Sequence, residues 1–215
     1  MRYHHIIWDF DGTLFNSYPA MAMAFRDTLK TLGIDEPVDT IVSYMTISMS
    51  DAVAHYKAKY HLPDDFIANY KHRYSLSKMG TPYDGAADIC RAVCKHGGKN
   101  YLLTHRGEST LPLMKTHHML DSFTEIITAR SPFPRKPSPQ AILYLMEKYD
   151  FSPSDAIMIG DRDLDILSGK NAGIAGCFIA SHHKASAHAD FSVNNLSELY
   201  GVLEIKPVAQ TKCKG

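Results

Sequence analysis

The chain has 215 residues, of which 45% are hydrophobic and 21% are charged, a balance typical of globular proteins and not of disordered ones. Lysine plus arginine and aspartate plus glutamate each number 23, so the net charge is zero, which excludes the basic bias of general nucleic-acid binders. No apolar run approaches the ~18 residues of a membrane span. We therefore expect neither nucleic acid nor a membrane as a partner.

The cysteines are too few and too scattered for a disulfide scaffold in a chain of this length. They are Cys90, Cys94, Cys177 and Cys213. Cys90 and Cys94 are spaced i, i+4 on a predicted helix, and we interpret them as small buried apolar residues and not as a metal-binding pair. Free thiols predict a reducing, cytoplasmic location.

The first 80 residues contain one predicted strand and then only helical periodicity. Residues 5–8 are an apolar run that ends in polar residues, which predicts a β-strand. Residues 16–80 form a helical block in which Pro37 and Pro63 separate the pieces. The predicted apolar faces are Met21, Phe25, Leu29 and Leu32; Ile41, Tyr44 and Met45; Val53, Tyr56 and Tyr60; and Phe66, Ile67, Tyr70 and Tyr74.

The rest of the chain alternates strand-length apolar runs with amphipathic helical segments. The predicted strands are 100–103, 123–128, 156–159 and 174–179, and the predicted helices are 88–95, 111–120, 138–149 and 164–171. Strands separated by helices form parallel sheets through right-handed crossovers, so we expect an α/β fold. Active sites in such sheets lie beyond the carboxyl ends of the strands.

The residues that follow these strands are polar, and most of them are acidic. They are Asp9 and Asp11 after the first strand, Thr104 after the second, Lys136 between the third and fourth, and Asp161 and Asp165 after the fourth. Asp9 and Asp11 are two residues apart, and on extended backbone such side chains point the same way. Converging carboxylates need a cation, and an all-oxygen donor set suits Mg²⁺.

Four motifs in this order resemble those of the haloacid dehalogenase-like superfamily. They are Asp9-Phe10-Asp11-Gly12-Thr13-Leu14, Thr104, Lys136-Pro137 and Gly160-Asp161 followed by Asp165. The resemblance spans roughly residues 5–203 and is strongest to phosphatases of the phosphoglycolate-phosphatase-like branch, which carry a helical cap after the first motif. It implies a doubly wound parallel sheet with a Rossmann-like core from residues 1–15 and 81–205. It also implies an inserted all-helical cap from 16–80, and we read 206–215 as a C-terminal tail.

The resemblance also implies roles for the acidic residues. Asp9 and Asp161 are expected to bind Mg²⁺ directly, together with the backbone carbonyl of Asp11, and Asp165 is expected to support the metal indirectly. Asp9 is the expected nucleophile and forms an aspartyl-phosphate. Asp11 protonates the leaving group and then activates water, which requires a pKa above the ~3.9 of an ordinary aspartate.

The expected phosphate-binding residues are Thr104, His105, Arg106 and Lys136. Thr104 donates a hydrogen bond, the backbone N–H groups of His105 and Arg106 assist, and Lys136 supplies positive charge. Many relatives have asparagine where this chain has His105, a change that leaves the backbone role intact. The site needs further positive charge, for which Arg106, Arg162 and lysines of the helical block are candidates. We favour the Arg106 side chain, and we interpret Arg162 as a solvated surface residue.

The predicted function is hydrolysis of a small phosphorylated metabolite by a Mg²⁺-dependent phosphoric monoester hydrolase that resembles phosphoglycolate phosphatase. Dehalogenases and phosphonate hydrolases of the superfamily lack the acid found here at Asp11, which argues against both activities. A sugar phosphomutase shares both acids and stays open as an alternative, as does a catalytically inactive binding or regulatory relative. The expected assembly is a monomer or a small homo-oligomer.

Overall fold

The computed structural model describes residues 1–77, 79–180 and 185–208. Contacts between residues divide the chain into two compact units, one made of Met1–Leu14 and Pro82–Gly215 and the other of Phe15–Thr81. Cys213 and most of the predicted tail at 206–215 lie outside the described residues. Within the described ranges, none of the helices combines the length and the apolar character that crossing a bilayer requires.

The first unit is built on a six-stranded sheet of order β5-β4-β1-β6-β7-β8. Strands β2 and β3 form a separate two-stranded sheet. In chain order the strands are β1 (His5–Trp8), β2 (Phe15–Asn16), β3 (Thr81–Pro82), β4 (Lys99–Leu103), β5 (Phe123–Ile127), β6 (Ala156–Gly160), β7 (Ala175–Ile179) and β8 (Phe191–Val193). Every pairing within the six-stranded sheet is parallel. The predicted α/β fold with a doubly wound parallel sheet is confirmed.

The helices alternate with the strands of the large sheet and also make up the second unit. Those of the second unit are α1 (Tyr18–Lys30), α2 (Val38–Met45), α3 (Met49–Tyr60) and α4 (Phe66–Ser75). Those of the first unit are α5 (Ala86–Lys95), α6 (Thr110–Thr116), α7 (Gln140–Tyr149), α8 (Asp163–Asn171) and α9 (Leu199–Leu203). Three-residue 3₁₀ helices precede β5, β6 and α9.

The central strand explains why three strand ends meet at one place. In β1, Ile6, Ile7 and Trp8 are fully buried, as expected of a strand covered on both faces. Trp8 lies opposite Leu102 of β4 and opposite Ile159 of β6. The residues that follow these three positions therefore leave the same edge of the sheet side by side.

The second unit has a core of aromatic rings contributed by its helices. The Phe25 ring of α1 lies 4.9 Å from Phe66, 5.3 Å from Tyr56 and 5.5 Å from Tyr70, measured between ring centroids. All four residues were predicted to lie on apolar helix faces, and all four are buried. Leu32 is the exception among the predicted faces, because α1 ends at Lys30 and leaves Leu32 exposed.

Two predicted features of the first unit differ from the structure, and one strand was not predicted. The helix predicted at 111–120 ends at Thr116, because the chain turns there and His118 adopts a left-handed conformation with φ of 52°. Cys90 is buried as predicted, but Cys94 is exposed and its thiol donates to the carbonyl of Ser122. Strand β8 has three residues, too few for a periodic signal, and its pairing with β7 defines it.

Candidate active site

Lys136 joins two buried aspartates at the carboxyl edge of the sheet. Asp9 directly follows β1, and its Oδ1 accepts a hydrogen bond from Lys136 Nζ at 2.5 Å. The same nitrogen lies 2.5 Å from Oδ1 of Asp165 and donates to the carbonyl of Leu103 at 2.9 Å. All three charged side chains are at most 1% exposed, so water screens these interactions very little.

Asp9, Asp161 and Asp165 form a buried acidic group in which one carboxylate oxygen of each lies within 4.8 Å of the others. Asp161 directly follows β6, and its Oδ1 accepts from Thr13 Oγ1 at 3.1 Å. Asp165 lies in the first turn of α8, where its Oδ2 accepts from the backbone N–H of Arg162 at 3.1 Å. Separate chain segments thus bring three acids to one point.

The electrostatics of this group favour a bound cation. Burial and the neighbouring Asp165 raise the pKa of Asp9 to about 6, although Lys136 opposes the shift. Burial also works against the charged form of Asp165, but Lys136 and Arg162 outweigh it and hold the pKa of Asp165 below its ordinary value. Among the described residues, Asp9 Oδ2 is buried without a hydrogen-bond partner. A free carboxylate oxygen within an all-oxygen donor set fits a hard divalent ion such as Mg²⁺.

The carboxylate of Asp11 lies outside the acidic group and pairs with Arg106 instead. Asp11 Oδ1 accepts from Arg106 Nη2 at 2.5 Å and from Nε at 3.0 Å. We expected Asp9 and Asp11 to point the same way, but their carboxylates have different partners, Lys136 for Asp9 and Arg106 for Asp11. The chain turns directly after Asp11 at Gly12, whose φ is 85°.

Replacing Arg106 with methionine is expected to lower the free energy of unfolding by about 1–3 kcal/mol, because the charge of Asp11 then loses its guanidinium partner. Adding Asp11→Asn is expected to restore part of the loss, since no unpaired charge remains. Urea denaturation of both variants measures these changes. The matched control is Arg130→Met, because Arg130 forms an exposed ion pair with Glu108. Equal losses in the Arg106 and Arg130 variants would contradict the prediction.

Thr104 and His105 lie together after β4, and the side chain of each accepts a hydrogen bond from a backbone N–H group. Thr104 is buried, and its Oγ1 accepts from the backbone N–H of Arg106 at 3.0 Å, so that N–H is already engaged. The hydroxyl proton of Thr104 remains as a donor. The ring of His105 accepts from the backbone N–H of Lys136 at 2.8 Å. Burial, with Lys136 next, lowers the pKa of His105 to about 3.

Two site residues were not assigned their roles by sequence analysis. Arg162 was one candidate for positive charge in the site but was interpreted as solvated, which is wrong, because its side chain is 12% exposed and its guanidinium lies 3.7 Å from Asp9 and from Asp165. Thr13 was quoted in the first motif without a role, yet it donates to Asp161. The available signal was adjacency: Arg162 directly follows Asp161 and is the N-cap residue of α8.

Gly160, the last residue of β6, allows Asp165 to approach the strand. A Cβ at position 160 would overlap the Cβ of Asp165 and lie 2.7 Å from its Oδ2. Gly160→Ala is therefore expected to displace Asp165 and to lower the free energy of unfolding by about 1–3 kcal/mol. Gly201→Ala is the control, because a Cβ at Gly201 in α9 meets nothing within 4 Å. Urea denaturation of both variants checks the prediction, which fails if they are equally stable.

Comparisons with known proteins show which family the chain is similar to. The family model described as haloacid dehalogenase-like hydrolase matches residues 6–179. A phosphoglycolate phosphatase of Vibrio parahaemolyticus is 30% identical over 93% of this chain and 96% of its own length. The pyrophosphatase PpaX of Bacillus cereus is 24% identical over 94% of this chain and 97% of its own.

A solved structure shares the fold. It is titled a predicted phosphoglycolate phosphatase from Haemophilus somnus and matches with a TM-score of 0.81 at 18% identity, covering 94% of this chain and 99% of that one. The family model covers most of the chain and contains every motif residue from Asp9 to Asp165. The chain belongs to the haloacid dehalogenase-like hydrolases.

Proposed function

We propose that the enzyme is a Mg²⁺-dependent phosphatase that hydrolyses a small phosphorylated metabolite through an aspartyl-phosphate on Asp9. The observation that carries this proposal is the placement of Lys136 between Asp9 and Asp165, beside an oxygen of Asp9 that has no hydrogen-bond partner among the described residues. A nucleophilic carboxylate is assisted by a nearby positive charge, which Lys136 supplies, and the Asp9 oxygen without a hydrogen-bond partner is available to a metal ion.

The metal would be held by Asp9 and Asp161, with the backbone carbonyl of Asp11 as a further ligand and Asp165 in support. When bound, Mg²⁺ supplies positive charge that offsets the carboxylates and the phosphoryl oxygens. The fit rests on the buried acidic group and on the hard oxygen donors that it offers. Lys136 leaves this group with a net negative charge, which is what attracts a divalent ion.

In the first step, an oxygen of Asp9 attacks phosphorus, and the bond between phosphorus and the ester oxygen of the substrate breaks. Asp11 donates a proton to the departing alkoxide. In the second step, Asp11 takes a proton from water as that water attacks the aspartyl-phosphate, which releases phosphate and regenerates Asp9. Lys136 and the Thr104 hydroxyl stabilise the charge that develops on the phosphoryl oxygens.

Arg106 contributes by holding the carboxylate of Asp11 apart from the acidic group. This arrangement separates the two acids by role: Asp9 lies next to Lys136, and Asp11 lies next to a guanidinium. Because the guanidinium favours the charged form of Asp11, the carboxyl must leave this ion pair for the leaving-group oxygen before it can donate a proton. The site residues of this mechanism are Asp9, Asp11, Thr104, Lys136, Asp161 and Asp165, with the His105 backbone as a further phosphate donor.

The substrate class follows from the relatives and from the helical unit. Relatives that align over nearly the whole chain are named phosphoglycolate phosphatase and pyrophosphatase, which favours a small phosphorylated compound. We assign the helical segment 16–80 the role of the cap that selects the leaving group. Cys90, Cys94 and Cys177 are free thiols, which fits the reducing cytoplasm.

The decisive experiment measures phosphate release by the purified full chain from p-nitrophenyl phosphate, phosphoglycolate and pyrophosphate, each with Mg²⁺ or with EDTA. We expect turnover that depends on Mg²⁺ and is lost in EDTA, with the highest kcat/KM for one of the two natural compounds. Release of phosphate from none of these substrates in Mg²⁺, or equal release in EDTA, would overturn the proposal.

A further inference from the structure

Lys136 is buried although the loop that carries it is not. The loop connects β5 to α7, and within residues 128–140, all of which the structure describes, only Lys136 is buried. The loop is attached to the rest of the unit on either side of Lys136, because the Phe133 ring lies 4.9 Å from that of Tyr144 in α7 and the Pro137 carbonyl accepts from Asn171 Nδ2 at 3.0 Å. Between these two attachments, Lys136 makes hydrogen bonds of its own.

The end of β4 holds Lys136 at two points. The carbonyl of Leu103 accepts from Lys136 Nζ at 2.9 Å, and Nε2 of His105 accepts from the Lys136 backbone N–H at 2.8 Å. These acceptors are two residues apart on one chain segment. One accepts from the side chain of the lysine and the other from its backbone. Because β4 pairs with β1, this attachment sets the distance from Lys136 to Asp9.

We propose that His105 is a positioning residue that fixes the backbone of Lys136 and so places its ammonium group against Asp9 and Asp165. The inference rests on the proposed function for its catalytic consequence, but the attachment itself does not depend on any reaction. In this role the side chain of His105 acts on Lys136 and not on phosphate.

The surroundings of His105 keep its ring neutral, as the hydrogen bond from the Lys136 backbone requires. A ring nitrogen accepts a hydrogen bond only when it carries no proton, so Nε2 must be unprotonated and Nδ1 must hold the proton. Lys136, Arg135 and Arg162 all act against a positive charge on the ring, and Asp165 alone favours it. Burial acts in the same direction as the three cations, so the ring is neutral at physiological pH.

The attachment is tested by hydrogen exchange at the Lys136 amide, measured by NMR in the full chain without metal. His105→Gln retains an acceptor with similar reach, whereas His105→Leu fills a similar volume without one. We expect the amide to exchange about 10-fold or more faster in the leucine variant and near the wild-type rate in the glutamine variant. His4→Leu is the control, because His4 is exposed at the opposite end of β1.

The catalytic consequence is tested by a double-mutant cycle with Lys136→Met, using p-nitrophenyl phosphate and Mg²⁺. Alone, His105→Leu is expected to lower kcat about 10- to 100-fold and to change the Kd for Mg²⁺ less than about 3-fold, with rescue by His105→Gln. In the Lys136→Met background, His105→Leu is expected to cause no further loss, because the residue through which it acts is already gone.

The outcomes separate this inference from the proposed function. Unchanged amide exchange in His105→Leu, or fully additive losses in the cycle, would overturn the positioning role even in an active phosphatase. A wild-type chain without phosphatase activity would overturn the proposed function, while faster amide exchange in His105→Leu would still establish the attachment. Faster exchange together with wild-type kcat would refute the catalytic consequence.

Discussion

Replacing Asp9 with asparagine is expected to lower kcat/KM for p-nitrophenyl phosphate by about 10⁴-fold or more. An amide oxygen is a poor nucleophile toward phosphorus, so the first covalent step is lost and not merely slowed. The matched control is Asp163→Asn, because Asp163 is an exposed aspartate close to the acidic group in the chain. The control is expected to retain activity within about 3-fold. Comparable activity in wild type and Asp9→Asn would rule out Asp9 as the nucleophile.

The same variant is not expected to be less stable in the absence of metal. The pKa of Asp9 is raised from 3.8 to about 6, so its carboxyl holds a proton more strongly in the folded chain than in the unfolded chain. A raised pKa contributes stability that is present at low pH and is lost as the pH rises through about 6. At pH 7.5 the buried Asp9 carboxylate is charged, which destabilises the folded chain, and a neutral asparagine removes that cost. We therefore expect the Tm of Asp9→Asn in EDTA to equal or exceed that of wild type, and a marked decrease would contradict this account.

Replacing Lys136 with methionine is expected to reduce both stability and activity. The ammonium group is buried between two carboxylates, and its removal leaves two buried negative charges facing each other. Breaking a buried ion pair in this way costs about 3–5 kcal/mol of unfolding free energy. Loss of the positive charge next to the nucleophile is expected to lower kcat/KM by about 10²- to 10³-fold. Urea denaturation in EDTA and steady-state kinetics in Mg²⁺ measure the two effects.

An exposed ion pair provides the control for this variant. Lys170 pairs with Asp190 at 2.8 Å, with both side chains 38% exposed, so Lys170→Met is expected to cost less than about 1 kcal/mol. Saturating Mg²⁺ is expected to restore part of the stability of Lys136→Met, because a bound cation offsets the repulsion between the carboxylates. Equal destabilisation by the two lysine replacements would show that burial of Lys136 is not what makes it important.

Much of the architecture could be read from local patterns. The apolar run at 5–8 and the four later apolar runs predicted strands, because a parallel strand is covered on both faces and therefore lacks polar residues. The polar residues after them, from Asp9 to Asp165, marked the functional edge, since the carboxyl ends of parallel strands converge. These signals come from residues that are close together in the chain, so a single sequence is enough to detect them.

The partners of the charged side chains followed only from the folded chain. The Asp11–Arg106 pair joins residues 95 positions apart, and the His105 ring reaches a backbone N–H 31 positions away. Arg162 is charged and was expected at the surface, but its side chain is largely buried because Asp161, the residue before it, directly follows the buried strand β6. Such contacts depend on how separate segments meet and on where the backbone turns, as it does at Gly12, and no local pattern encodes either.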